Sequence, residues 1–558
     1  MTEPVRSHGF TALGPAHEAL ARMTGWRAHG VAALLGAIGA LAFAPFHITP
    51  ILILSFCGLV WMMDGARGHK NWGKATFVRG VAFGYGYFLV SLYWLVFPFL
   101  VEPEKHAAFL FMPLILMPLG LGVITGFGML LSATFWSASP SRIPVFAIGL
   151  TIAEFLRGYL FGGFPWNIAG TSWVPGGAIS QLASLGGVYW LTLLTILVMA
   201  SPAALVDTRE SRGVALRLVP SLFAVVLIGG AWAYGAQRLS TPTEYTELGV
   251  TLMDSGVPQA EKWKEENQGA VLNQYLTMLQ DYPGAANDVV IWPEGALPFT
   301  LLESPRALDA VTDFIGNRIL ITGTPRRQLK RSQNEDGTSS FTRDPENVVW
   351  YNSLVVLNNL SSRSGPLAIY DKRRLVPFGE LAAEDIIPFG NSLSGILPPA
   401  IQQLAKAGYD AGRGDGNVYA DGVPPFTALI CYEGLFPQVV RKSRPRGDWI
   451  VQISNDAWFG YGMGPEQHYA QNAYRAIENG LPMARVATRG RSAIIDGYGR
   501  RVANATRIEG APTGWTPVVL QGNLPTALSV TLYRQNGFIF LWISIAALSV
   551  AAFALWRR

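Results

Sequence analysis

Hydrophobic and polar positions divide the chain into two kinds of segment. In the first 240 or so positions, apolar stretches follow one another near 30–46, 50–64, 80–101, 107–137, 143–161, 184–205 and 217–235, and one more runs near 537–556. A bilayer-crossing helix needs roughly 17–25 such residues. One run alone is compatible with a buried core helix, but seven in succession predict a membrane domain. The expectation is a polytopic α-helical membrane domain of about eight transmembrane helices, seven before a long polar insert and one after it. The first two runs are short and rich in Gly and Pro. No small-residue cleavage site separates them, which predicts a retained span and not a removed leader.

From 245 to 525 the pattern changes to short, nearly continuous apolar runs: Val250–Met253, Val289–Trp292, Ile319–Thr322, Leu354–Leu357, Ala428–Cys431 and Ile450–Ile453. Strands buried on both faces read this way, so the insert is predicted to be a layered α/β domain. The expected organisation is a cytoplasmic segment over 1–29, a membrane domain over 30–240, a polar α/β domain over 241–530 and a closing span over 531–558. Stretches rich in Pro and Gly at 386–400 and 410–425 predict long loops, and 381–400 is a candidate mobile arm.

Composition supports the membrane reading. Charged residues make up only 15% of the 558 positions and apolar residues 50%, against about 25% charged in a soluble domain. The formal charge of +5 is placed asymmetrically. With a cytoplasmic N-terminus, the inner segments hold Arg6, Arg22, Arg27, Arg67, Lys70, Lys74, Arg79, Arg142, Arg209, Arg212, Arg217, Arg557 and Arg558, and the short outer loops only Lys105 and Arg157. That asymmetry puts the polar insert outside, and no nucleic-acid role is expected. The two cysteines, Cys57 in an apolar run and Cys431 in the insert, make no disulfide framework, and no metal-ligand spacing occurs.

Candidate chemistry gathers at strand ends, where α/β folds place it. Ile291-Trp292-Pro293-Glu294-Gly295 offers a carboxylate at a turn, suited to general-base work. In Tyr370-Asp371-Lys372-Arg373-Arg374 the bland reading is a solvated charge run, weakened by the rigid apolar segment Leu375–Gly379 that follows. Ala428-Leu429-Ile430-Cys431-Tyr432-Glu433-Gly434 ends a strand on a thiol that opens a turn, as nucleophiles do. A thiol needs a proton acceptor, and a tetrahedral intermediate needs a cation or N–H donors at its oxyanion. Within the membrane part, Glu154 and Arg157 share a helix face and read as a structural ion pair. The uncharged Gly162–Asn167 loop reads as lipid-facing. Trp166, Trp173 and Trp458 are candidate interfacial aromatics.

The Glu294…Lys372…Cys431 order, with Glu380 eight residues beyond the lysine, resembles the nitrilase superfamily. Joined to the spans, it resembles the apolipoprotein N-acyltransferases. Val257-Pro258-Gln259 with Trp263, Tyr351-Asn352-Ser353, Ser454-Asn455-Asp456-Ala457-Trp458-Phe459, Gly464–His468 and the run from Arg475–Gly480 through Arg485 carry the likeness further. The resemblance implies an αββα sandwich on the outer membrane face. It implies Glu294 as general base, Lys372 as oxyanion stabiliser and Cys431 as nucleophile, supported by Glu380, Tyr432 and Glu433. Trp263 and Trp458 are expected to contact substrate. The implied reaction moves a phospholipid's acyl chain, through a thioester, to the amine of a lipoprotein's diacylglyceryl-cysteine, without a cofactor. Partners would be the two substrates and membrane lipids, with a monomeric enzyme in a bacterial inner membrane and its catalytic domain periplasmic. Met253-Asp254-Ser255-Gly256 and Thr488-Arg489-Gly490-Arg491-Ser492 depart from the family's pattern and put substrate contacts in question. A membrane-tethered nitrilase-like amidohydrolase is the nearest alternative, disfavoured because a tether needs one span. A transporter would need polar residues in several spans, and apart from Glu154 few occur.

Overall fold

The computed structural model describes residues 13–137, 139–206, 213–285, 288–329, 331–333, 339–341, 348–377, 379–380, 408–443, 445–503, 505–507 and 515–557. The candidate arm at 381–400 lies outside the described residues. The chain forms two compact units, one of Met1–Pro242, Phe459–Glu478 and Val530–Arg558, the other of Thr243–Trp458 and Asn479–Ser529.

The first unit is helical. Among the described residues, Pro103–Thr134, Ile179–Val206 and Arg217–Leu239 are long and apolar enough to cross a membrane. Trp72–Ser91 and Tyr93–Leu100 would together make a fourth, bent by 52°. Proline shapes the shorter pieces: Pro98 lies in the bent segment, and the run near 30–46 is α-helical over Gly25–Gly39 and 3₁₀-helical over Ala40–Ala42 before a turn at Pro45. The Trp72–Ser91 and Met117–Thr134 helices pack backbone to backbone. A Cβ on Gly84 would sit 2.7 Å from the Gly122 Cα. Such close approach is how helices associate in lipid, where no hydrophobic gain drives them together.

Arg157 does pair with Glu154, at 2.7 Å, and its guanidinium also donates to the Phe164 and Trp166 carbonyls at 2.6 and 2.8 Å. That arrangement corrects the expectation that the Gly162–Asn167 loop faces lipid. Its backbone is held internally, Trp166 is only 2% exposed, and the indole donates to Gln467 Oε1 at 2.8 Å. Bare carbonyls in hydrocarbon cost several kcal/mol each, roughly, and the buried arginine removes that cost.

Among the described residues the second unit contains two large sheets and a two-stranded one of Arg331–Gln333 and Ser339–Phe341. One has seven strands, ordered Ala505–Arg507, Val518–Pro525, Tyr245–Asp254, Val289–Ile291, Ile319–Leu329, Val348–Leu357 and Ala368–Asp371. The other has five: Ala493–Ile495, Met483–Thr488, Trp449–Asn455, Val423–Ile430 and Asn417–Ala420. The central strands are parallel, with Val289 opposite Ile319 and Ile430 opposite Ile453. The continuous apolar runs reflect two buried faces with period two. Val289, Ile291, Ile319, Ile321, Leu354 and Val356 pack against Ile430, Val451 and Ile453 of the other sheet. Alternate residues Val290, Trp292, Leu320 and Val355 pack beneath the helices Gln268–Asp281 and Pro305–Ile315. The register carries Asp254, Glu294, Cys431 and Asn455 to the carboxyl ends of parallel strands.

Candidate active site

Glu294 stands three residues beyond its strand, on a turn anchored by the Trp292 N–H to the Ile321 carbonyl at 2.9 Å. Gly323 is required below it, because a Cβ there would come within 2.6 Å of the Glu294 Cα. The carboxylate accepts from Asn352 Nδ2 at 2.7 Å and from the Asn455 backbone N–H at 2.9 Å. Lys372 Nζ is 3.4 Å from it.

Lys372 is no surface residue, being 1% exposed. Its strand ends at Asp371, and its own N–H donates to the Asn352 carbonyl at 2.8 Å, so one asparagine fixes both lysine and glutamate. Nζ lies 2.9 and 2.8 Å from the two oxygens of Glu380. Burial alone would strip its proton, but Glu380, Glu294 and Cys431 together hold the proton more tightly than usual. The lysine is therefore a fixed ammonium beside two carboxylates.

Cys431 has φ +49°, a left-handed conformation between the strand Val423–Ile430 and the turn Cys431–Leu435. For a non-glycine residue that costs on the order of 1–3 kcal/mol and persists only where the surroundings enforce it. The enforcing group is Glu433, fully buried. Its carboxylate accepts from the Ile430 N–H at 2.8 Å, the Tyr370 hydroxyl at 2.8 Å and the backbone N–H groups of Arg373 and Arg374 at 2.9 and 3.2 Å. One buried carboxylate thus ties the cysteine turn to the lysine segment. Tyr432 packs edge-on against Phe436 at 5.1 Å. Burial pushes the Cys431 thiol up, Glu294 and Asp456 add to that, and Lys372 and a hydrogen bond with Ser454 oppose it. The group rests as a thiol and requires a base as it attacks.

The structure brings Glu294, Lys372, Glu380, Cys431 and Glu433 together. It leaves Trp263, 51% exposed, and Trp458, 38% exposed, outside that hydrogen-bonded cluster. Several participants carry no signal of their own in the sequence. Asn352 and Asn455 bridge to Glu294. Ser454 donates to Asp456 Oδ1 at 2.7 Å, and Asp456 pairs with the buried Arg485 at 2.8 Å. Only their membership of the quoted motifs pointed to them. The two departures from the family pattern meet each other: Asp254 accepts from the Arg489 N–H at 2.9 Å, and Arg489 Nη1 donates to the Gly256 carbonyl at 3.1 Å. Beside them Lys262 is buried, with its pKa lowered by burial to about 8 against the pull of Asp254 and Glu294. Among the described residues no group of three metal-ligating side chains occurs.

Two family models match the chain, the apolipoprotein N-acyltransferase N-terminal domain over residues 35–201 and carbon-nitrogen hydrolase over 256–511. Apolipoprotein N-acyltransferases of Rhodopseudomonas palustris and Sinorhizobium fredii are each 33% identical to it, the first over 92% of both chains and the second over 93% of this chain and 94% of its own. That of Bradyrhizobium diazoefficiens is 34% identical over 92% of both. Among solved structures, an amidase from Nesterenkonia sp. is 15% identical, covering 55% of this chain and 99% of its own with a TM-score of 0.32. A helical N-terminal region and a nitrilase-like domain are therefore joined in one polypeptide. The chain belongs to the apolipoprotein N-acyltransferase family.

Proposed function

We propose that the protein transfers an acyl chain from a phospholipid, through a thioester on Cys431, to the α-amino group of a lipoprotein's diacylglyceryl-cysteine. The observation that carries the assignment of roles is the shared anchoring of Glu294, Lys372 and Cys431. Asn352 holds the first two, and Glu433 ties the third to the lysine segment.

Glu294 takes the proton of the Cys431 thiol as sulfur attacks the ester carbonyl carbon. The resulting oxyanion is stabilised by the Lys372 ammonium and the Tyr432 N–H, each donor worth roughly 3–4 kcal/mol. Collapse breaks the ester C–O bond, and the lysophospholipid leaves with the proton from Glu294. In the second half the acceptor amine attacks the thioester carbon and Glu294 takes a proton from its nitrogen. The C–S bond then breaks, and Glu294 returns the proton to sulfur. Glu380 keeps Lys372 in place and charged throughout, and Glu433 keeps the cysteine turn formed. Trp263 and Trp458, exposed at their positions, suit substrate contact.

The finer architecture belongs to the same proposal. It comprises an αββα sandwich over 241–530, about eight spans over 30–240 and 531–558, a cytoplasmic segment over 1–29, and a monomer in the bacterial inner membrane with its catalytic domain periplasmic. The distribution of basic residues supports that orientation. Acyl donors cannot leave the bilayer cheaply, at about 0.8 kcal/mol per CH₂, so the thiol has to work at the lipid surface.

Purified protein incubated with radiolabelled phospholipid is expected to form a hydroxylamine-sensitive adduct. A diacylated lipopeptide amine should discharge it far faster than water does. Adduct formation by Cys431→Ala, or discharge by water alone, overturns the proposal.

A further inference from the structure

Asn455, whose backbone holds Glu294, pairs through its side chain with Gln259, and each of these two buried amides leaves half of its hydrogen-bonding capacity unused. Asn455 Nδ2 donates to Gln259 Oε1 at 2.9 Å, while the Asn455 backbone N–H holds Glu294. Both side chains are only 6% exposed. Gln259 Nε2 and Asn455 Oδ1 meet no hydrogen-bonding partner among the described residues. Exchanging nitrogen and oxygen in both amides changes nothing essential, since one donor and one acceptor are left over either way. A buried polar group without a partner costs about 1–3 kcal/mol. Two such costs, adjacent and of opposite hydrogen-bonding sense, mark a place that a ligand completes.

We propose that the Gln259–Asn455 pair binds the first peptide group of the acceptor, Gln259 donating to its carbonyl oxygen and Asn455 accepting from its N–H. The inference rests on the acyl-transfer reading and adds to it how the second substrate is distinguished from the first. At its reacting end a phospholipid presents ester oxygens, which only accept. An N-terminal cysteinyl peptide presents a carbonyl and an N–H within a few bonds of the attacking amine. With that amine at Glu294, a peptide group a few bonds away comes to Asn455, whose backbone N–H holds that carboxylate, and to Gln259, bonded to the Asn455 side chain. Water-filled or apolar surroundings would not discriminate the two.

The test uses the full-length protein in phospholipid vesicles and two diacylated lipopeptides. One carries the natural amide after its first residue, and the other an ester oxygen in place of that N–H. Unaltered protein is expected to prefer the amide about ten- to hundredfold in kcat/KM for transfer. That comparison needs no variant. In Asn455→Ala the preference should fall to within about threefold. In Gln259→Met the transfer half should fall at least tenfold more than the thioester-forming half. Equal use of both lipopeptides by unaltered protein, or equal slowing of both halves in Gln259→Met, overturns the peptide-binding assignment. Failure of unaltered protein to form any thioester overturns the acyl-transfer reading itself, a separate outcome.

Discussion

The helical unit and the hydrolase unit each bury a basic residue against acids, with opposite consequences. In the helical unit one carboxylate, Glu154, meets one guanidinium, Arg157, whose Nη1 also donates to two loop carbonyls. Charge is matched one to one and the donors serve the backbone. In the hydrolase unit one ammonium, Lys372, faces two carboxylates, Glu294 and Glu380, with a strained thiol close enough to share the field. There the acids exceed the base, so one carboxylate has spare capacity to accept a proton. Burial alone does not distinguish a structural pair from a reactive one; the stoichiometry of charge and the presence of a nucleophile do.

Removing each cation tests that distinction most severely. Lys372→Met takes away an oxyanion donor and leaves two carboxylates without their counter-charge. Turnover is expected to fall about 10⁴-fold, combining one donor's loss with disordering of Glu294. Single-turnover thioester formation measures it, and a loss under tenfold would remove Lys372 from the chemistry. Arg157→Met should instead act on stability, by about 3–5 kcal/mol, because it strands a buried carboxylate and two carbonyls. Per folded molecule, thioester formation should stay within about tenfold. If the Arg157 variant folds normally but cannot form the thioester, the two regions differ less than proposed.

The same contrast explains what was legible beforehand. Strands such as Val289–Ile291 and Val423–Ile430 announce themselves because both faces are buried, which removes polar residues from the run. Glu294, Lys372 and Cys431 are legible as candidates because each sits in a short string at a strand end, where local sequence reports local position. Asn352, Ser454 and Lys262 were not assigned, since their importance lies in hydrogen bonds and fields across large sequence separations. Trp166 was misread for a related reason. An aromatic in an uncharged loop looks interfacial, and only the distant Gln467 reveals that it is core. Helix continuity was also invisible in part, as the bend between Trp72–Ser91 and Tyr93–Leu100 shows.

A second lysine sharpens the comparison within the hydrolase unit. Lys262 is as buried as Lys372, yet its partners do not outweigh burial, and its pKa falls from 10.5 to about 8. Between those values the unfolded chain holds the proton more often than the folded one, so stability from this site rises with pH over about 8 to 10.5. Below about 8 the cost of burying the charge is fully present. Lys262→Met lacks the titration and should flatten the rise, by up to about 3 kcal/mol across the window. Thermal unfolding of both proteins through that pH range measures the difference, and parallel curves would count against it.

The smallest expected effect concerns Ser454, and it asks whether the thiol's environment is tuned beyond its base and its cation. Ser454 hydrogen-bonds the Cys431 sulfur and lowers the thiol's proton affinity, against the stronger opposing effect of burial. Its hydroxyl is oriented by Asp456 at 2.7 Å, and Asp456 is held by Arg485 at 2.8 Å. While sulfur carries its proton the hydroxyl donates to Asp456; once sulfur is anionic, the same hydroxyl turns to donate to it. Ser454→Ala removes that donor, so Cys431 should lose its proton only at higher pH. A thiol-directed alkylating probe should react about tenfold more slowly at fixed neutral pH, the worth of one hydrogen bond to a charged group. The pH profile should move to the alkaline side, and Ser454→Thr should restore it. A merely structural role would lower the amount of folded protein without moving the profile. An unmoved profile in a folded Ser454→Ala protein would leave Glu294 and Lys372 as the groups that set the reactivity of Cys431.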